Sequence, residues 1–196
     1  MKCLEKLSIA IMLVLLLSSC TVGLQDYRQT APKLDIKQYF SGKLIAWGMV
    51  QDYRDNVIRR FCVELDGQWQ GEQGLLKEVF YFNDGEISYR NWHLTKLADG
   101  QYQGSAEDVV GQAQGQQMGF AFQWQYQLNI ATDGTSMLFS LDDWMYQVDE
   151  YRLFNRTKMK KLGIIVAEIT LFFDKEFPQK RCHQAGEISH LMGEIH

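Results

Sequence analysis

The clearest pattern in the chain runs from Phe120 to Ile130. There Phe120, Phe122, Trp124, Tyr126, Leu128 and Ile130 alternate with Ala121, Gln123, Gln125, Gln127 and Asn129. A period of two turns one set of side chains to a core and the other to water, which predicts a half-buried strand. A helix would need an apolar stripe three and four apart, and here the positions three apart are polar. Weaker runs of the same kind cover Lys43–Gln51, Val57–Trp69, Leu75–Phe82, Ile87–Leu97, Tyr102–Val110, Ser136–Tyr146 and Ile164–Asp174. Asp66-Gly67, Asp84-Gly85, Asp99-Gly100 and Asp133-Gly134 punctuate them, and Asp-Gly supplies the positive φ that tight hairpins require. Gly111, Gly115 and Gly119, interleaved with glutamines, predict a loop or a kinked edge strand. Only Leu34–Phe40 and Asp149–Lys161 suggest helix, and the second lacks an apolar stripe and reads equally as strand and turn. The expected fold is all-β: a single antiparallel up-and-down barrel, lipocalin-like in shape, of eight to ten strands with one or two short helices. A small barrel of this kind either fills with side chains or holds one small ligand.

The first twenty residues break the pattern. Lys2 and Lys6 precede an apolar run from Leu7 to Leu17, followed by Ser18-Ser19-Cys20. Basic end, apolar core and small residues are the parts of a secretory signal peptide. The run is too short for a membrane span of about 20 residues. With cysteine directly after the small residues, the segment resembles a bacterial lipobox. That resemblance implies cleavage before Cys20, a diacylglyceryl group on its thiol and an acyl chain such as palmitate on its new amino end. Two or more chains hold a protein firmly at a bilayer. Thr21 stands where an aspartate would signal inner-membrane retention, so the expected location is the periplasmic face of the outer membrane. The expected organisation is a signal peptide over 1–19, a lipidated tether over 20–33, a barrel domain over 34–176 and a C-terminal tail over 177–196.

Composition narrows the functional classes. The 196 residues carry 20 basic and 24 acidic side chains, and the signal segment removes Lys2, Lys6 and Glu5, leaving the mature side chains at −5. No basic patch suited to nucleic acid is present, and Lys158, Lys160 and Lys161 read as a solvated face. Beyond Cys20 the mature chain has Cys62 and Cys182. In an oxidising compartment the two can pair and tie the tail to an early strand; the alternative is one buried thiol and one incidental thiol in the tail.

The most suggestive polar group is Asp142, Asp143, Trp144, Asn155 and Arg156. Adjacent residues on a strand face opposite sides, so at most one of Asp142 and Asp143 points inward. A buried carboxylate needs a partner, and Arg156 is the candidate, either as a structural ion pair or as an anchor for a carboxylate or phosphate headgroup. Trp92, Trp124 and Trp144 are large enough to line a pocket or to fill a core. Glu168 is the lone acid of Ile164–Phe173, either paired with an arginine such as Arg90 or pointing outward. No nucleophile–base motif, phosphate-cradling loop or cofactor motif is present. The spacing of Cys182, His183, His190 and His196 matches no zinc pattern.

Several segments read together resemble a known family. Val57-Ile58-Arg59-Arg60-Phe61, Trp92-His93-Leu94-Thr95-Lys96-Leu97, the stretch Gly104 to Gly115, Asp142-Asp143-Trp144-Met145-Tyr146, Phe154-Asn155-Arg156-Thr157-Lys158-Met159 and Ala167-Glu168-Ile169-Thr170-Leu171-Phe172-Phe173 occur in that order. Over roughly Leu34 to Lys175 this resembles the uncharacterised proteobacterial lipoprotein family known as domain of unknown function 3833. The resemblance implies a periplasmic lipoprotein and no established activity. Two functions follow from the residues as expectations. One is a barrel binding an apolar or lipid ligand such as a fatty acid or phospholipid. The other is a filled barrel acting through an envelope protein partner. Clustered titratable residues inside the barrel would point to a third, an enzyme acting on envelope lipid.

Overall fold

The computed structural model describes residues 22–132 and 135–182. Ten strands form one closed antiparallel barrel: β1 (Gly42–Asp52), β2 (Val57–Gln70), β3 (Gln73–Phe82), β4 (Ile87–Lys96), β5 (Gln101–Ser105), β6 (Val109–Met118), β7 (Ala121–Thr132), β8 (Thr135–Gln147), β9 (Arg152–Lys161) and β10 (Ile164–Asp174). Each strand pairs with its neighbours in sequence, and β1 closes the circuit on β10, with Ala46 opposite Phe173 and Asp52 opposite Ala167. Closure removes sheet edges, so the barrel needs no strand from outside residues 42–174.

The local rules explain most of the strands. In β7 the Phe122, Trp124, Tyr126 and Leu128 side chains face inward, as their spacing requires. Asp149–Lys161 resolves into a turn and the strand β9, because Leu153, Asn155 and Thr157 are buried on one face while their neighbours are exposed. Tyr102–Val110 is two strands, with a turn at 106–108 between β5 and β6. The glycine- and glutamine-rich stretch is β6, paired on both sides and therefore not an edge, with its register slipping between Val110 and Gln114. Its small residues have a packing reason: a Cβ at Gly115 would lie 2.6 Å from the Trp124 ring.

Gly85 and Gly100 occupy positive-φ turn positions, as the Asp-Gly rule anticipates. Asp133-Gly134 lies outside the described residues. Asp66-Gly67 is a correction: it sits within β2, Gly67 facing Gly42 on one side and Leu76 on the other, and the turn falls later at Gly71-Glu72. Gly67 is required by a tertiary contact, since a Cβ there would lie 1.7 Å from the Phe40 carbonyl oxygen.

That contact belongs to a plug. The Leu34–Phe40 segment forms a single helical turn, α1 (Ile36–Tyr39), whose N-cap Asp35 accepts a hydrogen bond from the Gln38 amide. Leu34, Ile36, Tyr39 and Phe40 are buried and close one end of the barrel. The Tyr39 hydroxyl donates to the Tyr151 carbonyl at 2.9 Å, and the Lys175 ammonium donates to the Tyr39 carbonyl at 2.9 Å, so the plug is held from both sides.

Part of the 20–33 segment expected as a tether packs on the barrel. Leu24–Tyr27 forms a 3-10 turn, and the Tyr27 ring packs among Phe120, Trp144 and Tyr146 on the outer wall at the plugged end. Leu34 N–H then donates to the Gly119 carbonyl at 2.8 Å. The chain is therefore fastened to the barrel from about Leu24 onward. At the other terminus, Cys182 is joined to Cys62 by a disulfide, and its N–H donates to Glu64 at 2.9 Å. Lys180 reaches Asp174 at 3.2 Å. The tail thus spans the outer face between β2 and β10, which accounts for Ile45, an outward residue of β1 that is only 2% exposed.

Candidate functional site

Inside the barrel, above the plug, lies a cavity of about 240 Å³. Its floor is Ile36 and Phe40 of the plug region, and its walls include Phe61, Phe80, Trp92, Phe122 and Trp124. Trp92 meets Trp124 edge-on at 5.6 Å and Tyr126 at 5.2 Å between ring centroids, so the aromatic wall is continuous across the barrel. Floor residues are buried, whereas Val50, Phe80, Phe82 and Ile169, nearer the opposite end, retain accessible surface. That opposite end is rimmed by exposed apolar residues: Tyr53, Ile58, Tyr89, Ile164 and Leu162, the last 95% exposed.

One wall of the cavity is polar. Glu78 of β3 and Arg90 of β4 are direct cross-strand partners, and Asp143 of β8, Asn155 and Thr157 of β9 and Tyr126 of β7 complete the group. Arg90 gives Nε and Nη2 to Asp108, with Nη2 to Oδ2 at 2.6 Å. Burial opposes the Arg90 charge, but Tyr126, Glu78 and Asp108 outweigh it and hold the guanidinium protonated. Asp143 is 7% exposed; its Oδ2 accepts from the Tyr126 hydroxyl at 3.3 Å, and its Oδ1 has no hydrogen-bond partner among the described residues. Burial pushes the Asp143 carboxyl up to about 7, against the lowering influence of Thr157, Arg90 and Tyr126. Burial likewise lifts Glu78 to about 7, with Arg90 opposing and Asp108 and Asp143 assisting.

The expected site residues divide by strand parity. Trp92, Trp124, Asp143 and Asn155 line the cavity. Trp144 and Arg156 do not, which corrects the grouping made from sequence: each follows an inward residue and must face out. Trp144 stacks on Tyr146 beneath Tyr27, and Arg156 pairs with Glu168 at 2.8 Å on the outer surface. Arg156 is therefore not the partner of Asp143, and Arg90 is not the partner of Glu168. Asp142 faces outward and accepts from Gln123 at 2.7 Å. Glu78 and Arg90 were missed as lining residues, although their spacing signals it: Glu78 alternates in phase with Leu76 and Phe80, and Arg90 with Trp92 and Leu94. Cys20, His183, His190 and His196 lie outside the described residues.

Fold and cavity together define a closed up-and-down β-barrel with an aromatic-walled interior and one acidic, partly satisfied polar wall. By its sequence the chain belongs to the family of proteins of unknown function DUF3833, whose model matches residues 14–175. No curated protein matches the chain.

Proposed function

We propose that this protein is a membrane-anchored envelope lipoprotein that holds a small apolar ligand, of lipid type, inside its barrel. The observation that carries the reading is the aromatic cavity, closed below by the plug and rimmed by exposed apolar residues at the other end. Its volume lies just below the roughly 300–1,000 Å³ usual for ligand pockets, which suits a short-chain or slender ligand. The lipobox-like Ser18-Ser19-Cys20 supports the anchor, and Thr21 supports the outer membrane as its site. The alternative of a filled barrel working only through a protein partner has less support, because the interior is not filled.

The test is native mass spectrometry of residues 22–196, which contain the whole hydrogen-bond circuit, the plug and both disulfide cysteines, before and after organic extraction. The expected result is a mass excess removed by extraction, and absent in Ile169→Trp, which places an indole in the cavity. A bare wild-type mass, together with no binding of a fluorescent apolar probe, overturns the reading.

One observation favours a second reading. Two carboxyls titrating near neutrality are what general acid–base catalysis uses. The lining has no Ser, Cys, His or Lys among the described residues, so such chemistry would centre on Glu78 and Asp143, with the hydroxyls of Thr157, Tyr126 and Tyr102 on the same lining. Chemical change of an added lipid extract, lost in Glu78→Gln, would support it.

A further inference from the structure

Resting on the ligand-binding reading, we infer that the polar end of the ligand is a hydrogen-bond donor carrying positive charge, a primary amine on an alkyl chain, seated against Asp143 and Glu78. The expectation that Arg156 holds a carboxylate or phosphate headgroup does not fit the geometry, because Arg156 faces outward and pairs with Glu168. The only arginine on the cavity wall among the described residues is Arg90, and it commits Nε and Nη2 to Asp108. The two remaining ionisable carboxyls on that wall would face an incoming anion with like charge, in surroundings where such repulsion is poorly screened.

What the Asp143 carboxyl lacks is a second donor. Asp143 is more than nine-tenths buried, and its Oδ1 accepts nothing from the described residues. A buried acceptor left unsatisfied costs about 1–3 kcal/mol, more for a charged group, and a ligand donor would recover it. A charged donor does so best, because charge-assisted hydrogen bonds to a carboxylate are roughly twice as strong as neutral ones. The surrounding rings already accept a cation, since the Arg90 guanidinium lies 5.5 Å from the Phe80 centroid and 6.0 Å from that of Trp92, and Trp124 and Tyr126 line the same cavity. The volume sets the tail. At about 30 Å³ per water-sized group, the cavity of about 240 Å³ takes about eight such groups, hence the amine nitrogen and about seven carbons, with a longer tail reaching toward the open end.

The experiment compares 1-aminodecane, 1-decanol and decanoate, each below its micelle concentration, by titration calorimetry on residues 22–196 at pH 7.5. The amine is expected to bind at least about tenfold more tightly than the alcohol, with decanoate weakest. Asp143→Asn is expected to cost the amine about tenfold and to leave the alcohol within about twofold. Glu78→Gln is a second variant with the same expected direction, and thermal melts confirm that each is folded. Alcohol binding as tight as amine, or decanoate binding best, overturns the amine assignment and leaves the apolar-ligand reading standing. If none of the three binds, both fall.

Discussion

Asp143 shows how one residue sets the character of the interior. Period two brings it inside, the surrounding wall leaves it 7% exposed, and its described neighbours supply only part of the hydrogen bonding it needs. The consequence is a stability that depends on pH. An unfolded carboxyl titrates near 4, whereas those of Asp143 and Glu78 in the folded barrel titrate near 7. Between those values the folded state binds more protons than the unfolded one. Stability from these groups is therefore full below about pH 4 and is lost as pH rises through about 7. The melting temperature of Asp143→Asn should fall less between pH 5 and pH 8 than that of the wild type. Equal slopes would mean that Asp143 is already ionised in the folded barrel at pH 5.

At the scale of elements, the plug and the strand beneath it are one device. Gly67 interrupts the side-chain row of β2 so that the Phe40 carbonyl can approach the strand directly. Gly67→Ala cannot be absorbed by a rotamer change, because the obstructing atom is backbone. The plug would have to lift, exposing Ile36 and Phe40 and opening the cavity floor. A loss of about 1–3 kcal/mol is expected in urea unfolding, the range of overpacked cores. A wild-type midpoint for this variant would show that the plug is not seated as described. The Asp-Gly dipeptide was legible as a turn signal, and at Gly85 and Gly100 it is one. At Gly67 the same two letters serve packing between distant segments, which no local rule can separate from a turn.

Across the whole molecule, the two terminal segments are fixed at defined places on the wall. Tyr27 docks at the plugged end, and Val22 is only two residues from Cys20, so an anchor there lies within about 7 Å of Val22 at full extension. On the lipoprotein reading, this holds the plugged end near the anchoring bilayer and turns the apolar rim away from it. The Cys62–Cys182 disulfide closes a separation of 120 residues. Loop closure of that length restricts the unfolded chain strongly, about 4–5 kcal/mol in the chain-entropy model. The double variant Cys62→Ser/Cys182→Ser should lose about 2–5 kcal/mol by denaturant unfolding while keeping the strand signature in far-UV circular dichroism. No change in midpoint would mean that the tail contributes nothing to global stability.

Alternation of side chains, with the turn signals between the runs, determined that this chain is an antiparallel meander: β7 is written in Phe122, Trp124 and Tyr126, and most other strands follow the same period. The same period also contained the division of the site, since an inward Asp143 requires an outward Trp144, and an inward Asn155 an outward Arg156. Grouping them by chemical character, instead of by parity, placed two surface residues in the interior and left Glu78 and Arg90 out of it. Only the tertiary structure decided which carboxylate meets which arginine, because Arg90 reaches Asp108 across a turn and Arg156 reaches Glu168 across a strand pair. It alone decided that the barrel has a plug, a cavity and an unsatisfied acid. Those depend on the volumes of side chains from all around the circuit, and a one-dimensional pattern carries the direction of each side chain but not the space left among them.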